Sequence, residues 1–275
     1  MTVWLNGSLV DDAAATVAVN DHGFTVGDGV FETLKSYAGQ PFAVDRHLAR
    51  LAASAAGLGL EAPPDDVLRR AVAAVVAAHG GGDMSLRITV TSGPGPAGSG
   101  RGDGNPTVVV TAAPLAVWST AAAVAVVPWP RNERGALVAI KTTSYAENVV
   151  ALAWAARRGA EEALFVNLAG RLCEGTGSNL FVVLAGRLLT PPLSAGCLAG
   201  VTRAVVLEST AAEEADLGPA DLLDADEAFL TSTTREVQAI GTVDGSPLPP
   251  APGPVTRAAA AAFTAAVAAA ALSRK

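Results

Sequence analysis

Leu172-Cys173-Glu174-Gly175-Thr176-Gly177-Ser178-Asn179-Leu180-Phe181 is the most informative stretch of this sequence. A single carboxylate is followed by small residues before an apolar run resumes. Small residues let a backbone approach a ligand closely, and a carboxylate at such a turn can hold a ring nitrogen protonated. Read alone, the segment is equally a turn with a solvated glutamate. Further on, Gly200-Val201-Thr202-Arg203 opens a helix, whose unpaired N–H groups and dipole favour an anion. Thr231-Ser232-Thr233-Thr234 follows a strand-like run and offers four hydroxyls. Both segments are also ordinary capping and turn chemistry.

Upstream, Lys141 lies in Ala139-Ile140-Lys141-Thr142-Thr143-Ser144-Tyr145, after an apolar run and before a helical one. A lysine desolvated at such a junction has a lowered pKa and a free amine that attacks carbonyls, although most lysines at such junctions are simply exposed. The lysine count sharpens the reading. Of 19 basic residues only Lys35, Lys141 and Lys275 are lysines, so arginine has taken nearly every cationic position. A lysine that resists this drift points to a need for a primary amine.

Working outward, residues 1–112 read as a small α/β domain. Asn6-Gly7 between two short apolar runs signals a hairpin. Val30 to Tyr37 alternates as a strand, Asp45 caps a helix running to about Leu58, and Pro63-Pro64-Asp65 opens a second helix ending in Gly80-Gly81-Gly82. Leu86 to Thr91 and Thr107 to Thr111 read as strands. Ser92 to Pro106 between them is long for a loop in a compact domain, so it is mobile or functional. Residues 113–122 read as a linker and 123–275 as a larger domain. Its expected strands are Val124–Val127, Ala163–Asn167, Leu180–Leu184, Leu188–Leu189 and Glu227–Thr231. Its expected helices run from Glu147 to Arg158 and from Gly200 to about Ala212.

Composition narrows the function classes. Half of the 275 residues are hydrophobic and the formal net charge is -7 without a long basic run, which argues against nucleic acid as a partner. Cys173 and Cys197 are too few for a disulfide framework, and no Cys/His cluster suggests a metal. They read as buried thiols in a reducing cytoplasm. No basic region precedes an apolar core at the N-terminus, so no signal peptide is expected. The alanine-dominated stretch Ala258 to Leu272 is short for a membrane span and reads as a C-terminal surface helix.

Taken in order, these segments resemble the class-IV (fold-type IV) pyridoxal-5'-phosphate (PLP) enzymes, which include D-amino-acid transaminases, branched-chain aminotransferases, R-selective amine transaminases and aminodeoxychorismate lyases. Gly23-Phe24-Thr25-Val26-Gly27-Asp28-Gly29-Val30-Phe31-Glu32-Thr33 is similar to the family's N-terminal signature, and His47-Leu48-Ala49-Arg50-Leu51 to its His-x-x-Arg-Leu phosphate motif. Glu174 to Phe181, Thr190-Pro191-Pro192-Leu193 and Gly200 to Arg203 complete the match, which covers nearly the whole chain. The resemblance implies an α/β (α+β) fold, with a small N-terminal α/β domain and a larger C-terminal pseudo-barrel domain. It implies PLP as cofactor, no metal, a cytoplasmic homodimer with no membrane contact, and small-molecule partners: an amino donor and a 2-oxo acid acceptor.

It also implies roles. Lys141 is the Schiff-base lysine and the acid/base of the reaction. Glu174 pairs with the pyridine nitrogen, Tyr145 reaches the phenolic oxygen, and Ser178 and Asn179 belong to the cofactor turn. Arg50, Val201, Thr202, Ser232 and Thr233 bind the phosphate, Glu32 tunes Lys141, and Phe31, Arg87 and Thr234 face the substrate. The best-known D-amino-acid transaminases carry tyrosine where Phe31 stands and arginine where Ser92 stands. Arg87, on the same strand, is a candidate to hold the substrate carboxylate or a structural residue, Arg101 or a residue near it in the long loop is another candidate, and His22 occupies a position that is often arginine. The length from Lys141 to Gly159 is that of D-amino-acid transaminases and lyases, branched-chain enzymes tending to one residue more. Transamination is the first expectation, and formation of 4-aminobenzoate and pyruvate from aminodeoxychorismate is the alternative.

Overall fold

The computed structural model describes residues 2–249 and 251–272, so Lys275 lies outside the described residues. The chain packs as two units, Met1–Ala116 with Ile140–Tyr145, and Val117–Ala139 with Ala146–Lys275. A single cut at 113–122 therefore does not describe the packing of Ile140–Tyr145, which carries Lys141.

The first unit contains β1 (Thr2–Leu5), β2 (Ser8–Asp11), α1 (His22–Thr25), β3 (Gly29–Tyr37), β4 (Gln40–Pro41), α2 (Val44–Gly57), α3 (Asp65–Ala78), β5 (Met84–Thr91) and β6 (Thr107–Ala113). Its sheet is antiparallel throughout, in the order β2-β1-β6-β5-β3-β4. The Asn6-Gly7 hairpin forms as expected, with both residues at positive φ. Burial on β5 alternates through Met84, Leu86, Ile88 and Val90. The buried residues of α3 (Leu68, Ala71, Val72, Val75, Val76) recur at helical spacing. Together with Leu34, Leu48 and Leu51 they form one core, each large side chain contributing about 1.5–3 kcal/mol on burial. Asp45 is not the cap of α2. The cap is Ala43, in the left-handed region, and Asp45 sits in the first turn and pairs with Arg69 at 2.5 Å.

The long loop after β5 is tied down by polar contacts. Fully buried Asp21 accepts from Gly23 N at 2.8 Å, Thr91 Oγ1 at 3.1 Å and Thr107 Oγ1 at 2.6 Å. His22 Nε2 lies 2.8 Å from Pro96 O. Arg101 forks onto Asp28 with two bonds of 2.6 Å and donates to Leu58 O and Gly59 O.

The second unit contains β7 (Ala121–Val126), α4 (Ala146–Ala156), β8 (Glu162–Val166), β9 (Leu172–Gly175), β10 (Asn179–Leu184), β11 (Arg187–Thr190), α5 (Val201–Ser209), β12 (Glu213–Glu214), α6 (Pro219–Leu223), β13 (Glu227–Ser232), β14 (Glu236–Val243), β15 (Ser246–Pro247) and α7 (Pro254–Leu272). Its mixed sheet runs β12-β11-β10-β13-β14-β7-β8-β9, with β15 on β14. The β14–β7 and β7–β8 pairs are parallel, and the β10–β13 and β13–β14 pairs are antiparallel. β7 begins inside the expected linker, α5 stops at Ser209, and β9 and β14 are strands where none was expected. Stacked Phe181 and Phe229, with ring centroids 4.9 Å apart, form a core with Val206 and Ala259 that seats α7. By length and composition α7 is apolar enough to cross a membrane, with mean hydropathy 1.6. Its Thr256, Ala259 and Phe263 are buried in the unit.

Candidate active site

The residues singled out from sequence fall into two sets, one in each unit. In the first unit, Ile140–Tyr145 runs beside the start of β3. Phe31 N donates to Lys141 O at 2.9 Å, Thr143 N donates to Gly29 O at 2.8 Å, and Val30 bridges Thr142. On the other side Lys141 N donates to Ser54 Oγ of α2 at 3.1 Å. The lysine backbone is thus fixed by a strand and a helix, and its rotamers start from a defined Cα. Its Nζ stands 4.3 Å from the Phe31 ring centroid and 5.9 Å from that of Tyr145. Phe31 and Tyr145 meet edge to face at 5.1 Å. The Arg87 guanidinium lies over the Phe31 ring at 3.7 Å, a cation–π contact. Its hydrogen bond is to Thr89 Oγ1 at 3.1 Å, and no carboxylate among the described residues pairs with it. A surface cavity of about 530 Å³ opens on Gly27, Asp28, Leu58, Ser99, Arg101 and Ser144.

Glu32, fully buried on β3, is the electrostatic centre of this set. Its carboxylate takes Arg50 Nε at 2.7 Å, Arg50 Nη2 at 2.8 Å and His47 Nδ1 at 2.7 Å. Burial by itself would push the Glu32 carboxyl up. The hydrogen bonds and charges of Arg50 and His47 overcome that and hold it at about 2. Burial pulls the His47 imidazole below its usual value, with Glu32 opposing. Arg50 therefore spends two of its nitrogens on Glu32, and Arg101 is neutralised by Asp28, which it holds below the usual carboxylate range.

In the second unit Glu174 projects from β9. Its Oε2 accepts from Leu198 N at 2.8 Å, and Arg131 Nε stands 3.6 Å from its Oε1. Arg131 is anchored by Glu147 at 2.7 Å and Asn148 at 3.0 Å and stacks on Phe165 at 4.0 Å. Its Nε and Nη2 are buried without a hydrogen-bond partner. Asn179 Nδ2 donates to Leu198 O at 2.9 Å, so Asn179 and Glu174 grip the same residue from its two sides. Gly200 must be glycine here, because a Cβ would stand 1.9 Å from Asn179 Oδ1. The α5 N-terminus that follows has no side-chain cap, and Val201 and Thr202 are buried there. At the end of β13, Thr231 Oγ1 is buried without a partner, Ser232 Oγ accepts from Arg235 N at 3.1 Å, and Thr234 O accepts from Trp118 Nε1 at 3.0 Å. Ser178 Oγ donates to Glu162 at 3.0 Å.

Cys173 and Cys197 are buried and unpaired. Burial pushes the Cys197 thiol up to about 12 and the Cys173 thiol higher still, which removes both as nucleophiles. No group of three or more His, Cys, Asp or Glu among the described residues could hold a metal ion. Sequence reading missed Arg131, Glu162 and Arg235. Their residue types alone give no chemical signal, and only their placement beside site residues marks them.

The family profile described as amino-transferase class IV matches residues 29–243. Over 94% of each chain, this protein is 31% identical to a D-alanine aminotransferase of Bacillus licheniformis. It is 30% identical to a bifunctional aminodeoxychorismate lyase / D-amino acid transaminase of Mycobacterium tuberculosis, over 92% of this chain and 94% of that one. Among solved structures, a branched-chain aminotransferase of Thermoproteus uzoniensis with norvaline superposes with a TM-score of 0.88 at 32% identity, over 96% of this chain and 93% of that one. The fold is fold type IV.

Proposed function

We propose a residue-level reading for this chain, which belongs to the class IV aminotransferase family and is a PLP-dependent enzyme that moves amino groups: Lys141 is the reacting amine, and an amino acid with a free carboxylate is its donor. The observation that carries the reading is the fixed lysine, held by Ser54 on one side and Phe31 on the other, with Nζ over an aromatic face.

The residues present suit the cofactor. Lys141 supplies a primary amine, Glu174 a carboxylate with Arg131 as counter-charge, and α5 an uncapped N-terminus for a phosphate. The orphaned Thr231 hydroxyl beside Ser232 marks a place that lacks an acceptor or donor. Bound PLP supplies an aldehyde for a Schiff base and an electron-poor ring that draws electrons from the substrate's reacting carbon.

Lys141 Nζ takes the proton from that carbon and returns it during transfer. Glu174 holds the proton on the ring nitrogen, and Leu198 N–H fixes the direction of its other oxygen. Val201, Thr202, Ser232 and Thr233 hold the phosphate. Arg50 adds charge from α2 while Glu32 orients it and, with His47, sets the electrostatic surroundings of Lys141. Tyr145 would hold the cofactor's phenolic oxygen. Ser178 and Asn179, expected in the cofactor turn, bond instead to Glu162 and Leu198, so they act by shaping that turn. Phe31, Arg87 and Thr234 bound the substrate, with Arg87 as the cation for its carboxylate because no acid among the described residues pairs with it. The reading is completed by a cytoplasmic homodimer. The buried, unpaired thiols support a reducing compartment, and exposed Val19 and Phe24 support a partner surface.

The relative that is named for both activities keeps aminodeoxychorismate lyase as a second reading. Spectra of the purified protein with D-alanine, D-glutamate and branched-chain L-amino acids test the first. Loss of the visible cofactor band with an amino donor supports transamination. Release of 4-aminobenzoate from aminodeoxychorismate with no such loss supports the lyase, and a protein with no cofactor band overturns both.

A further inference from the structure

Glu162 is a buried acid that the mechanism leaves unused. Glu162 opens β8 at 2% exposure. Its Oε1 accepts from Thr176 N at 3.0 Å, from the Thr176 hydroxyl and from Ala163 N at 3.0 Å. Its Oε2 accepts from Ser178 Oγ at 3.0 Å and stands 3.5 Å from Arg235 Nη2. Gly175 leaves room for this convergence, because a Cβ there would lie 2.3 Å from Ser178 Oγ and 3.1 Å from Glu162 Cδ. Arg235, whose side chain is 7% exposed, lies over the Trp118 ring at 3.8 Å and bonds to Gln238. Trp118 and the Arg235 backbone in turn hold Thr234 O and Ser232 Oγ.

We infer that Glu162 is a positioning residue. With Arg235 it locks the Thr176–Ser178 turn, directly after Glu174, to the Ser232–Arg235 turn, so that the ring-nitrogen partner and the phosphate hydroxyls keep one fixed geometry. The inference rests on the functional reading above. Its physical basis is that a buried ion pair is a poor way to gain stability, since an apolar pair of equal volume serves as well or better. What the pair does supply is direction. Apart from the neighbouring Ala163 N, the donors that meet Glu162 come from Thr176, Ser178 and Arg235, in segments that flank the candidate site, and such a network permits one arrangement of the turns.

Glu162→Gln places an amide nitrogen where donors converge. Ser178→Ala and Thr176→Val each remove one hydroxyl and leave the ion pair intact. PLP is titrated into the apo forms of all four proteins, read by absorbance, with the thermal midpoint of each apo form measured alongside. The expected result is a ten- to hundredfold weaker PLP affinity for Glu162→Gln, about the worth of a lost bond to a charged group, with a shifted absorbance maximum of the bound cofactor. Each hydroxyl variant shows a smaller loss in the same direction with the apo midpoint near that of wild type. Should Glu162→Gln fail to fold, the two hydroxyl variants decide. Wild-type affinity and wild-type absorbance in the folded variants, whatever their melting, overturn the positioning role and leave the functional reading standing. A wild-type protein that takes up no PLP overturns the functional reading itself.

Discussion

Replacing Glu32 by glutamine removes one charge from a carboxylate that has no exposure and three charge-assisted bonds of 2.7, 2.8 and 2.7 Å. Arg50 then keeps a largely buried guanidinium without its counter-ion. Breaking a buried pair from one side costs about 3–5 kcal/mol. The carboxyl's own displacement gives the same scale. From an ordinary value of 4.5 to about 2 is worth about 3 kcal/mol. The sign follows from the direction. The folded carboxyl is depressed, so its contribution is complete above pH 4.5 and fades as pH falls towards 2. Urea unfolding of apo wild-type and Glu32→Gln proteins by circular dichroism, at pH 7 and pH 3, measures it. The expected difference is about 3 kcal/mol at pH 7 and under half of that at pH 3. A difference below about 1 kcal/mol at pH 7, or one that is equal at both pH values, refutes the electrostatic reasoning.

Arg87→Gln is expected to raise KM for carboxylate-bearing donors about ten- to hundredfold, with little change for an amine that lacks the carboxylate. Equal KM changes for both substrate types would remove Arg87 as the anchor. Gly200→Ala would force Asn179 away from its 1.9 Å clash and from its bond to Leu198 O. It should lower stability by about 1–3 kcal/mol and weaken PLP binding, and unchanged melting and affinity would contradict the packing described. Leu51→Ala, at a fully buried position of the first core, should cost about 2–5 kcal/mol in denaturant unfolding, and a cost under 1 kcal/mol would argue against that core.

The local part of this structure is legible in the sequence because its signals are local. Asn6-Gly7 has the residues a tight hairpin requires, and the spacing in α2 and α3 is a direct image of their buried faces. β9 was hidden because Glu174-Gly175-Thr176-Gly177 reads as turn chemistry, and its pairing with β8 cannot be seen in those residues. β14 was hidden by Glu236 and Gln238, polar residues whose place in a strand depends on partners far along the chain: Gln238 donates to Ser119 O at 2.8 Å. The same limit applies to the candidate site. Lys141 and Glu174 stand in motifs, so sequence finds them. The packing of Ile140–Tyr145 with the first unit, the Arg101–Asp28 fork and the roles of Arg131 and Glu162 arise from contacts between distant segments, which no window of sequence displays.

Borohydride reduction of the PLP-loaded protein, followed by digestion and peptide mass mapping, tests the central claim most directly. The account predicts a single phosphopyridoxyl addition, on the peptide that contains Lys141. An addition at Lys35, or no addition to a protein that holds PLP, would contradict it.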